Sequence, residues 1–242
     1  MNYKVTIAFD GKDFSGWQFQ RNAPTVQGTF TECATRFFGS AVSVTGCSRT
    51  DSKVHAENYV LSLKTERAID PQGIVRGLNT FLPDSIAVKA CEAVDESFHA
   101  RYDCKRKEYR YVILNSPIKD PFLVGRALLY PAPLDEGRMK REAEALIGRH
   151  DFASFMAAGS KITDTVRTVY SADVKREGDR IVFSISADGF LYNMVRIIVG
   201  TLIDESFGRL PLTVSEIIEA KDRRKAGFTA PPEGLYLYRA EY

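Results

Sequence analysis

The chain contains no CxxC pair, and its four cysteines (Cys33, Cys47, Cys91 and Cys104) fall at no metal-ligand spacing. With only three scattered histidines, it offers little from which to build a zinc site, and no metal is expected. No signal-peptide pattern opens the sequence, so the cysteines read as reduced thiols of a cytoplasmic protein. No apolar run reaches the length that crosses a bilayer, and no membrane partner is expected. An excess of one charge sign is also missing, because 33 Lys and Arg face 31 Asp and Glu, for a net +2. Near-neutrality denies the chain a general polyanion-binding surface, so any nucleic-acid reading must rest on local clusters. What is present is a composition 44% hydrophobic and 11% aromatic over 242 residues. That supports a substantial core, in two modest domains or one large one, and excludes global disorder.

Periodicity divides the chain into two halves with one order of elements. Tyr3, Val5, Ile7 and Phe9 alternate as in a half-buried strand, ended by Asp10 and Gly11. Thr25 can cap a helix whose apolar positions are Val26, Phe30, Cys33, Ala34 and Phe37. Strands are expected over 41–44 and 58–63. Asp70 and Pro71 then start a helix through Ile74, Val75, Leu78 and Phe81, followed by a strand over 86–93. In the second half a strand over 107–114 precedes a helix opened by Leu134 and Asp135. Strands over 166–175 and 180–187 come next, then a strongly apolar helix running from Leu191 through Met194, Val195, Ile198, Leu202 and Ile203. Thr213 and Glu216 have the spacing of a capping box, and 235–240 is the closing strand. The expected fold is therefore α+β, two ferredoxin-like β-α-β-β-α-β halves over 1–104 and 105–242, joining mainly antiparallel sheets with a positively charged cleft between them.

Three segments carry chemistry-bearing residues. The run from Thr45 to His55 packs Arg49, Asp51, Lys53 and His55 into a short connection between two strands, where they contribute little to folding. A turn aspartate bonding its own backbone is the plain alternative for Asp51. On the strand from Lys105 to Tyr111, period two puts Tyr109 and Tyr111 on one face and Glu108 and Arg110 on the other. The tyrosines either pack inward or stack on an unpaired base beside phosphate-binding cations. Arg196 interrupts the most apolar helix, so it either snorkels to water or pairs with a carboxylate, Asp51 being the candidate. Further basic residues gather from Lys221 to Lys225 and stand singly at Arg101, Lys161 and Arg167; a charge run of this kind is usually a solvated face. His55 and His99 form no triad spacing with a serine or cysteine.

Taken in order, these segments resemble the tRNA pseudouridine synthase A family across nearly the whole chain. The matching pieces are Phe9-Asp10-Gly11 with Gly16-Trp17-Gln18, Thr25-Val26-Gln27, and Arg49-Thr50-Asp51 with Val54-His55-Ala56. Phe98-His99-Ala100-Arg101, Tyr109-Arg110-Tyr111, and His150-Asp151-Phe152 with Ser154-Phe155 follow. The last are Arg167-Thr168-Val169, Phe190-Leu191 with Met194-Val195-Arg196, and Glu233-Gly234-Leu235-Tyr236-Leu237. The resemblance implies an isomerase that converts uridine to pseudouridine in the anticodon arm of tRNA, at positions 38, 39 and 40, without metal or organic cofactor. It also implies a homodimer in which one tRNA contacts both subunits. Asp51 matches the catalytic aspartate, Tyr109 the tyrosine against the target base, Arg196 the partner of the aspartate, and Arg49 an arginine that helps displace the base. Such a reaction needs an ionised carboxylate, acting as a nucleophile toward C1′ or the ring, or as a base on C2′. A nearby guanidinium favours that charged form.

The chain departs from the family pattern at Ser48, Ser52 and Lys53, where glycine, alanine and glycine are usual. It departs again where Asp204, Glu205, Ser206 and Phe207 replace a glycine-containing segment. Two other readings stand beside the enzyme. A catalytically silent RNA-binding paralogue would share the element order, and a metal-dependent nuclease would need clustered carboxylates.

Overall fold

The computed structural model describes residues 1–160 and 162–242, so Lys161 lies outside the described residues. The chain divides into two compact units, Met1–Lys105 with Tyr236–Tyr242, and Arg106–Leu235.

The first unit contains β1 (Asn2–Phe9), α1 (Val26–Phe38), β2 (Ser43–Gly46), β3 (His55–Lys64), α2 (Pro71–Phe81) and β4 (Ile86–Val94). β1 lies antiparallel between β3 and β4, and β2 adds antiparallel to the far edge of β3. The alternation read in β1 is the one realised, with Tyr3, Val5, Ile7 and Phe9 all buried. Both helices start as their caps dictate. The Thr25 hydroxyl accepts from Gly28 N, and the Asp70 carboxylate accepts from Gly73 N ahead of Pro71. α1 buries Phe38 where Phe37 was expected. Phe37 instead lies edge-on to Phe81 and fills the space beside Gly77, where a Cβ would stand 2.0 Å from its ring.

The second unit contains β5 (Arg106–Leu114), β6 (Leu128–Leu129), α3 (Glu136–Glu144), β7 (Gly148–Asp151), β8 (Val166–Glu177), β9 (Arg180–Ala187), α4 (Met194–Ser206) and α5 (Val214–Ala220). Its sheet runs β5-β9-β8-β7, antiparallel throughout, with β6 parallel to β5. α5 carries the expected capping box between Thr213 and Glu216. α4 begins at Met194, later than the apolar pattern suggests. Asn193 adopts the left-handed conformation (φ 59°), which ends the turn containing Leu191 before the helix starts.

The closing strand β10 (Leu235–Glu241) belongs to the first unit from Tyr236 onward, although element order assigns it to the second half. It runs parallel to β3, pairing Tyr236 with His55 and Leu237 with Ala56. β2 meanwhile pairs with Leu61–Lys64. β3 thus has partners at both ends of its length, and the chain from 47 to 54 leaves the sheet between β2 and β3 as a loop.

Glu205, at the end of α4, is 2% exposed. Its Oε2 accepts from Arg138 Nη2 at 3.0 Å, while Oε1 has no hydrogen-bond partner among the described residues. Burial pushes this carboxyl above the ordinary glutamate range. A group that holds its proton more tightly when folded favours the fold fully below its unfolded pKa, and that advantage is lost as pH rises through the folded value. Glu205→Gln keeps an acceptor for Arg138 without the buried charge. It should raise the thermal midpoint by about 2–4 °C above neutral pH, with the gain shrinking as the solution is acidified. A difference that does not change with pH would contradict this account.

Candidate active site

The loop from Cys47 to Val54 is held from beneath by aromatic side chains and from one side by the segment after β1. Trp17 stacks on Tyr59 with ring centroids 4.2 Å apart, and Phe9 tilts against Tyr59 at 5.5 Å. The Tyr59 hydroxyl donates to Ser48 O. Gly46 faces this pair with no room for a side chain, since a Cβ there would overlap the Tyr59 hydroxyl and the Trp17 ring. Trp17 N donates to Thr50 O at 3.2 Å, and Lys53 N and Ser52 Oγ both donate to Phe14 O, at 3.1 and 3.3 Å. Gly16 (φ +91°) lies flat against the loop, and a Cβ on it would stand 2.5 Å from Thr50 O. His55 closes the loop with Nδ1 accepting from Gly11 N at 3.0 Å, 3.1 Å from Asp10 Oδ1, and its ring stacked on Tyr236.

On this base Asp51 is half-buried, with Arg49 exposed two residues before it and Lys53 exposed two residues after it. The Asp51 carbonyl accepts from Val54 N at 3.2 Å, which shapes the turn. Lys53 sits at φ +65°, one of three non-glycine residues with positive φ among the described residues. That conformation costs a residue bearing a Cβ roughly 1–2 kcal/mol. The loop therefore keeps a left-handed residue at a position where this chain has no glycine.

In the second unit β5 places Tyr109 and Tyr111 on one face, as period two requires, and Arg110 Nε meets Glu108 Oε1 at 3.3 Å on the other. The two tyrosines differ in role. Tyr111 is fully buried, its hydroxyl donating to Pro231 O at 2.7 Å, and burial drives its ionisation far above the ordinary phenol range. Tyr109 is 6% exposed and meets the edge of Phe190 at 5.0 Å. Arg196 occupies the first turn of α4, the end of a helix that disfavours a cation. It is held there by contacts from its own unit. Nε donates to Ala230 O at 2.7 Å, Nη1 donates to Asn193 Oδ1 at 2.9 Å, and the Arg196 carbonyl accepts from Ala230 N at 3.0 Å. The backbone of the 227–230 segment runs close along α4, because Gly200 leaves space that a Cβ would deny to Phe228 O.

The basic run after α5 is largely matched within its own unit. Lys221 Nζ is 3.1 Å from Asp151 Oδ2, Arg224 pairs with Asp222 at 2.8 Å, and Arg223 donates to Ala226 O and Thr229 Oγ1. Arg167 likewise donates to the carbonyls of Asp164 and Val166, while Arg101 is exposed. Sequence reasoning passed over Gly16 and Asn193 as site residues. Gly16 was legible only as part of the Gly16-Trp17-Gln18 resemblance, with no bracing role attached to it, whereas an asparagine directly before an apolar helical run is a recognisable left-handed or capping position. Among the described residues no three His, Cys, Asp or Glu side chains gather to hold a metal ion, and no helix is long and apolar enough to cross a membrane.

Gly16→Ala tests the bracing of the loop. It forces a Cβ against Thr50 O in a strained conformation and should lower stability by about 1–3 kcal/mol. Urea unfolding with an unchanged midpoint would show that the loop is not held from this side.

A family model described as tRNA pseudouridine synthase matches residues 5–103 and 143–242. Among curated proteins, the chain is 44% identical over 242 residues to a tRNA pseudouridine synthase A from Thermoanaerobacter sp. (strain X514), covering 100% of this chain and 99% of the relative. It is 42% identical over 241 residues to one from Exiguobacterium sibiricum, covering 99% and 96%. A third, from Acetivibrio thermocellus, is 42% identical over 242 residues, covering 100% and 99%.

Proposed function

The chain belongs to the tRNA pseudouridine synthase family, whose members are isomerases that convert uridine to pseudouridine, and from that premise we propose that it acts on the anticodon arm of tRNA, at positions 38, 39 and 40, with Asp51 as the catalytic carboxylate. The observation that carries this reading is the mounting of Asp51. A half-buried carboxylate stands on a loop braced by Trp17 and Phe14 and flanked by two exposed cations, an arrangement that serves folding poorly and a polyanionic substrate well.

The reaction breaks the N1–C1′ glycosidic bond, turns the uracil and rejoins it through C5, which gives up its proton while N1 takes one up, so that product and substrate are isomers. Asp51 serves as the nucleophile on C1′ or on the ring, or as the base that takes the C2′ proton. Before any of these, the uridine leaves its stack at a cost of a few kcal/mol. Arg49 assists that displacement, and Tyr109 returns about 1–3 kcal/mol by contact with the freed base. Arg196 supplies the guanidinium that pairs with the Asp51 carboxylate. Its tethers to Asn193 and Ala230 support this role, because they fix the side chain before substrate arrives. No metal or organic cofactor takes part in this scheme. We also propose a homodimer in which one tRNA contacts both subunits. Ile118 and Phe122, 75% and 83% exposed, support it as apolar surface that a second copy can cover.

Asp51→Asn should abolish pseudouridine formation on an unmodified tRNA transcript while changing tRNA affinity less than threefold; substantial turnover by this variant would remove Asp51 from the chemistry. Tyr109→Phe should retain most activity and Tyr109→Leu lose it, if the ring is what the base meets. Equal losses would assign the work to the hydroxyl.

A further inference from the structure

The three non-glycine residues with positive φ among the described residues are Lys53, Asn193 and Lys221. Two of them have a visible use for the side chain the strained backbone projects. Asn193 Oδ1 holds the guanidinium of Arg196 at 2.9 Å, and Lys221 Nζ meets Asp151 Oδ2 at 3.1 Å. Lys53 stands in the same unfavourable conformation, two residues beyond Asp51, with its side chain exposed. Its backbone N–H donates to Phe14 O, and the neighbouring Val54 N donates to Asp51 O across the turn. The turn asks only for a residue that accepts positive φ, which glycine does freely and lysine does not. A strained residue beside a reacting group is grounds for a functional hypothesis about its side chain.

The chemistry of the neighbourhood says what that side chain would meet. Arg49 and Lys53 are exposed cations placed symmetrically, two residues before and two after the half-buried Asp51. A nucleoside within an RNA strand carries a phosphate on each side, so a carboxylate that engages the sugar or base of one nucleoside has a phosphodiester to either side of it. A lysine ammonium, a compact charge on a flexible stem, suits such an oxygen. We propose that Lys53 binds the phosphodiester adjacent to the target uridine, and that the left-handed strain at this position is tolerated for that contact. The assignment rests on the pseudouridine synthase reading with Asp51 at the reacting nucleotide. It adds a substrate-binding residue to the loop that carries Asp51.

Three variants separate charge from backbone. Lys53→Gly relieves the strain and removes the ammonium, Lys53→Gln keeps the strain and removes the charge, and Lys53→Arg keeps both. Binding of an unmodified tRNA transcript is measured by anisotropy across a salt series, alongside thermal unfolding and pseudouridine formation. Lys53→Gly and Lys53→Gln should each bind about fivefold more weakly, with the log–log salt slope flattened by about 0.7–1. Lys53→Arg should bind as the unaltered protein does. Lys53→Gly should unfold at the same temperature or higher, so its weaker binding cannot be ascribed to misfolding. Unaltered affinity and slope in Lys53→Gln overturn the proposal, as does a loss in Lys53→Gly that Lys53→Gln does not share, which would assign the effect to backbone shape. If the unaltered protein isomerises the transcript and the variants match it, only Lys53 falls. If the unaltered protein neither binds nor isomerises it, the functional reading falls and takes Lys53 with it.

Discussion

One edge of a single strand organises the candidate site. β3 receives β2 along its last residues and β10 beside its first, so two elements distant in sequence share the same strand. Between β2 and β3 the chain must leave the sheet, and the excursion that results carries Arg49, Asp51 and Lys53. The aromatic set Phe9, Trp17 and Tyr59 gives the excursion a solid base, and Gly16 lets a second backbone lie against it. A loop fixed by backbone contacts on a rigid sheet can hold polar side chains in place at little further entropic expense.

Two of the three non-glycine residues with positive φ among the described residues lie close in sequence to residues proposed to act. Lys53 lies in the loop of Asp51, and Asn193 lies three residues before Arg196. Each such residue costs a small amount of stability. Glu205 is a different case: a buried acid with one oxygen satisfied, at the far end of the helix whose first turn carries Arg196.

Local signals were the legible part of the fold. Capping at Thr25, Asp70 and Thr213 and the alternation of β1 depend on neighbours in sequence, and these elements lie where the pattern puts them. β6 and β7, of two and four residues, are too short to show a period. The attachment of β10 to the first unit depends on a pairing some 180 residues distant, which no local pattern encodes. At the candidate site, Asp51 and Arg196 could be singled out as polar groups in positions unhelpful to folding, but their roles came from the family resemblance. Tyr109 and Tyr111 were equivalent by period. Only the third dimension separates a tyrosine committed to Pro231 from one lying against Phe190. The ties of Gly16 and Trp17 to Thr50 were illegible, because backbone contacts between loops leave no mark on residue types.

The chain has a single tryptophan, and that residue is the one wedged beneath the loop, with its ring on Tyr59 and its amide on Thr50. Indole emission therefore originates from one place, directly under the segment that carries Asp51. The molecule contains its own optical gauge of that segment, readable in real time without any attached dye.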